Sequence, residues 1–84
     1  MEDEILESFY DIEIHKLFDL PTITVYKLPV YQGKFVARLW NLDKPTKYII
    51  LKDNIENIRN AIPDGFINMG KFPFDDPVIV ETWI

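Results

Sequence analysis

Few residues of this chain carry side chains suited to chemistry, and they do not assemble into a recognisable reactive set. The one serine, Ser8, and the one histidine, His15, stand seven residues apart in an acidic stretch. That spacing brings both near one face of a helix, but no oxyanion loop or third, orienting group accompanies them. With no cysteine, thiolate nucleophiles, disulfides and thiolate metal sites are all excluded. One histidine cannot build a zinc cluster. Asp75-Asp76 before Pro77, and Asp64-Gly65, read as turns. The three glycines, Gly33, Gly65 and Gly70, make no phosphate-cradling loop. The expectation is a non-enzyme without cofactor or metal.

Charge is distributed in blocks. The 84 residues carry a net charge of −5. Residues 1–20 contribute −6, residues 21–52 contribute +5 and residues 53–84 contribute −4. An acidic balance argues against non-specific nucleic-acid binding, yet the middle block is basic and aromatic. Lys27, Tyr31, Lys34, Arg38, Trp40, Tyr48 and Lys52 are its candidate interaction residues.

These residues need a sheet to hold them. Residues 22–31, 34–42 and 46–52 read as three strands. Gln32-Gly33 makes a hairpin turn, and Asp43-Lys44-Pro45 makes a second turn. Asp53 with Glu56 predicts a capped helix carrying an Ile55/Ile58/Ile62 stripe, ended by Pro63. Residues 66–77 form a loop rich in Phe, Pro, Gly and Asp, and 78–84 read as a last strand. In residues 4–18, Leu6, Tyr10, Ile14 and Leu17 fall at helical spacing, while 11–15 also alternate as a strand would. The absence of Gly and Pro favours helix, which Leu20-Pro21 ends.

The predicted fold is a single α+β domain with a small antiparallel sheet, in the order (α)βββαβ, and a helix on one sheet face. Placing Tyr31 opposite Lys34, and Trp40 opposite Tyr48, assigns the core to Tyr26, Leu28, Phe35, Ala37, Leu39, Ile49 and Leu51. The helix adds Ile55, Ile58 and Ile62. The other face then gathers the seven interaction residues, with Lys27 directly across from Arg38. Three readings of that face stand open. It is a plain outer face with snorkelling cations, a platform for a partner, or the seat of the acidic segment 1–20.

The frame Tyr31-x-Gly33-x-Phe35-x-Ala37, a turn with Pro45, a short strand and a capped helix with Glu56 resembles the HicB-like antitoxin domain. The resemblance spans residues 31–62. It implies a βββαβ fold and the binding of a small basic toxin, and it assigns no functional residue here.

The expected role is a non-catalytic acidic domain that binds another protein or itself. Nucleic-acid binding through residues 27–52, or membership of an enzyme whose site forms on assembly, are the alternatives. Without cysteine, a basic-then-apolar leader or an apolar run of ~20 residues, the expected setting is cytoplasmic, away from any membrane.

Overall fold

The computed structural model describes residues 2–84. The fold is α+β: one mixed five-stranded sheet and two short helices. In chain order these are β1 (Glu4–Leu6), α1 (Ile14–Leu17), β2 (Pro21–Lys27), β3 (Phe35–Asn41), β4 (Lys44–Lys52), α2 (Ile55–Asn60) and β5 (Ile79–Trp83). Across the sheet the strands lie β1-β4-β3-β2-β5. The sheet is not wholly antiparallel, because β1 pairs parallel with β4, Ile5 opposite Ile49.

The predicted N-terminal helix is the main correction. Residues 4–6 are an edge strand, Phe9–Asp11 a 3₁₀ turn and 14–17 a single helical turn. Ser8 breaks any longer helix. Its hydroxyl accepts from the Tyr10 N–H at 3.0 Å, and its own N–H donates to the Asp11 carboxylate at 3.1 Å. This reciprocal cap stabilises a new turn at the point where a long helix would have to continue. The folded-back segment still serves the core, since Phe9 and Ile14 are buried.

The two predicted hairpin registers are also corrected. Pro29 opens a 3₁₀ turn over Pro29–Tyr31, and Gln32 and Gly33 follow it at φ +52° and +84°. This longer connection sets Lys27 opposite Phe35 and Thr24 opposite Arg38. The offset from the predicted pairing is odd, so every β2 side chain changes face. Ile23 and Val25 are buried beneath α2, while Tyr26 moves to the other side and Val30 is 75% exposed. Between β3 and β4 the loop is Leu42-Asp43, with Pro45 inside β4. The ladder shifts between Arg38 and Trp40, where the Thr46 hydroxyl donates to the Leu39 carbonyl and accepts from the Tyr48 N–H. Arg38 therefore faces Ile49, and Ile50 enters the core under α2.

The core on the helix side comprises Phe9, Ile14, Ile23, Val25, Ala37, Leu39, Ile50, Ile58, Ala61 and Ile62. The predicted helix stripe holds: Ile58 and Ile62 are buried and Ile55 packs at the margin. Its cap is Asn54, whose side chain accepts from the Asn57 N–H at 2.9 Å. Asp53, the predicted cap, instead reaches Lys34. Val36 and Ile49 are buried on the opposite sheet face. No helix among the described residues is long and apolar enough to cross a membrane.

Candidate interaction surface

The seven predicted interaction residues do not share a face. Arg38 and Trp40 lie on the side away from α2, since they alternate with Ala37 and Leu39 of the core. Lys27 and Lys52 both stand opposite Phe35, and Tyr48 packs on the core cluster, so these three lie on the helix side. Tyr31 and Lys34 belong to the connection between β2 and β3. The repulsive Lys27–Arg38 pairing is absent. Lys27 places its ammonium 4.9 Å from the centre of the Phe35 ring. The Trp40 indole Nε1 is buried without a hydrogen-bond partner.

The acidic N-terminal segment meets the basic block through individual ion pairs. Asp3 takes two hydrogen bonds from Arg38, at 2.9 and 3.0 Å. Arg38 also donates to the Thr46 carbonyl at 2.8 Å and to the Tyr26 hydroxyl at 3.4 Å. This forked contact holds the Asp3 carboxyl below its usual range and raises the Arg38 guanidinium. Glu7 pairs with Lys52 at 3.3 Å. These pairs flank β1 and fasten a strand of only three residues to the sheet.

Five cations, Lys16, Lys34, Arg38, Lys52 and Arg59, form ion pairs among the described residues. Lys27, Lys44, Lys47 and Lys71 form none. Eight of the fourteen acids stand outside these pairs: Glu2, Glu4, Asp11, Asp19, Asp43, Asp64, Asp75 and Asp76. Half of the basic block, Lys34, Arg38 and Lys52, is thus answered from within the chain, and the unpaired surplus charge is acidic.

Sequence reasoning missed Glu81, the one buried charged residue among those described. It faces Val25 across the β2–β5 ladder. Arg59 of α2 reaches it at 2.8 and 3.3 Å, and the Trp83 indole donates to it at 2.7 Å. Burial pushes this carboxyl up, but the hydrogen bonds from Arg59, Trp83 and Asn68 outweigh it and hold it below the usual range. An acid within an apolar strand, Val78 to Ile84, was the available signal. Glu81 and Arg59 tie α2 to the sheet edge, a structural role.

Ser8 and His15 do not join. The Ser8 hydroxyl is engaged with Tyr10 and with the Ala61 carbonyl at 3.4 Å, whereas His15 stacks on Phe66 with ring centres 5.9 Å apart. No group of three His, Cys, Asp or Glu residues with metal-binding geometry occurs among the described residues.

The connection from α2 to β5 is tied back on the fold by hydrogen bonds. Residues 67–70 run along the outer edge of β5, with Ile67 and Ile84 exchanging backbone hydrogen bonds at 2.8 and 3.0 Å. Met69 donates to Thr82, and Thr82 to Gly70. Beyond this, the Asp75 carboxylate accepts from the Phe72 N–H at 2.9 Å and that of Asp76 accepts from the Val78 N–H at 3.1 Å. The Lys71 ammonium donates to the Pro77 carbonyl at 3.4 Å. This scaffold displays Phe74 at 98% exposure, with Phe72 and Met69 also exposed.

Comparison with known protein families, with curated proteins and with solved structures returns no match.

Proposed function

We propose that this chain is a non-catalytic interaction domain that docks on a cationic protein through the loop 67–78. The observation that carries this reading is Phe74, held almost fully in solvent by a loop whose turns are closed by Asp75 and Asp76. Exposing an aromatic ring on an ordered loop is costly in isolation and favourable at an interface, where a pre-positioned anchor loses little entropy. The flanking carboxylates, free of cationic partners, favour a pocket rimmed by Lys or Arg. A second copy of the chain fits poorly, because its surplus surface charge is acidic as well. The resemblance of residues 31–62 to the HicB-like antitoxin domain points in the same direction, toward a small basic partner.

The charge pairing speaks against nucleic acid, since Arg38, Lys34 and Lys52 are already engaged by acids of the same chain. The test is fluorescence anisotropy of the full chain with a labelled oligolysine peptide and with a labelled single-stranded DNA of about 20 nucleotides. We expect salt-sensitive binding to the peptide and none to the DNA. DNA binding without peptide binding overturns the proposal.

A further inference from the structure

Two of the four lysines without an acidic partner converge on one groove, and we infer that this groove binds a small planar aromatic anion. The groove, about 410 Å³, lies beside the β3–β4 turn and is lined by Phe18, Asn41, Lys44, Pro45, Lys47 and Tyr48 among others. Its volume falls within the range of small-molecule sites.

The arrangement supplies both halves of such a ligand's recognition. Phe18 and Tyr48 meet edge-to-face with ring centres 6.2 Å apart, leaving an aromatic corner for a third ring. Lys47 holds its ammonium over the Tyr48 ring, 5.4 Å from its centre, at the border of the groove. Lys44 and Lys47 are exposed and form no ion pair, although Asp43 adjoins Lys44 in sequence and Glu4 faces Tyr48 across the β1–β4 ladder. With five of the nine cations paired and Lys27 and Lys71 lying elsewhere, this pair of ammoniums is available to a carboxylate or phosphate. Asn41 accepts from the Leu20 N–H at 3.2 Å through its carbonyl oxygen, which leaves its amide N–H groups to face an anion. The Thr46 hydroxyl is committed to Leu39 and Tyr48. Recognition then falls to ring and charge together.

The experiment is a two-dimensional NMR titration of the full chain with indole-3-acetate and with adenosine monophosphate, which separate a carboxylate from a phosphate. Acetate and inorganic phosphate serve as ring-free controls, and indole as the uncharged one. We expect saturable shifts at Phe18, Lys44, Lys47 and Tyr48 with at least one aromatic anion, and no saturation with the controls. The double variant Lys44→Gln, Lys47→Gln, at exposed positions and with its melting temperature measured beside the parent's, is expected to weaken binding about tenfold or more, the scale of one lost charge-assisted contact. Equal shifts with acetate or phosphate, shifts confined to other residues, or undiminished binding by the double variant would each overturn the assignment. So would the absence of saturable shifts with both aromatic anions. None of these outcomes bears on Phe74, which lies on the separate loop 67–78.

Discussion

Replacing Glu81 with Gln keeps the shape of the side chain and removes its charge, at a residue only 3% exposed. Glutamate accepts from Arg59 at both oxygens and from Trp83 at one. Glutamine has a single acceptor oxygen, so one of its N–H groups must confront an Arg59 donor. Hydrogen bonds to a charged group contribute ~1.5–3 kcal/mol each. The Arg59 side chain is 40% exposed and regains water, which discounts its share. The net loss is about 2 kcal/mol, or roughly 8–16 °C in melting temperature for a domain of this size. The pH dependence gives a second signature. The folded carboxyl sits below its ordinary value of 4.5, so its stabilisation is complete above that value and disappears as pH falls through the lower, folded one. Urea titrations should therefore separate Glu81→Gln from the parent at pH 7 and bring them together in acid. A difference under about 0.5 kcal/mol at pH 7, or a gap that widens in acid, would refute the role given to this residue.

Ile58→Ala is expected to cost ~2–5 kcal/mol in the same titration, because the side chain is fully enclosed between α2 and the sheet. Asn54→Ala should lose about 1 kcal/mol as the helix cap, whereas Asp53→Ala, which gives up an exposed pair with Lys34, should change denaturant stability by less than about 0.5 kcal/mol. Leu42 holds a left-handed backbone at φ +58°, so Leu42→Asn should raise stability by roughly 1 kcal/mol, seen as a higher melting temperature. Thr24 and Thr82 face each other across β2 and β5, so the pair Thr24→Cys, Thr82→Cys should oxidise to a disulfide, read by mass spectrometry in a chain with no other cysteine.

The sequence was informative where periodicity and local chemistry agreed. The stripe at Ile55, Ile58 and Ile62 could only face a core, and Phe35, Ala37 and Leu39 were assigned to the right side of β3. The strands themselves were legible from their β-branched and aromatic runs. Register was not, because it depends on the count of residues in a turn, and Pro29 converted a two-residue turn into a 3₁₀ connection. An odd error in that count exchanged Tyr26 for Val25 in the core and split Lys27 from Arg38. The N-terminal segment was misread because its apolar spacing fits a helix, while Ser8 and Asp11 close a turn within it. That segment meets the basic block through Asp3 and Glu7 at the flanks of an edge strand rather than by lying over one basic face. Glu81 escaped notice because its partner, Arg59, lies twenty-two residues away on another element.

The proposed docking role is tested most directly by site-specific photo-crosslinking in the source cell, with a benzophenone amino acid at position 74 of the full chain. The same probe at position 30, which is also exposed and apolar but lies on the β2–β3 connection, is the control. The expected result is a crosslink from position 74 to a basic protein, and affinity for that purified protein that falls with salt and drops about thirtyfold or more on Phe74→Ala. A crosslink to nucleic acid, or to protein from position 30 alone, or a Phe74→Ala variant that binds the partner as the parent does, would contradict it.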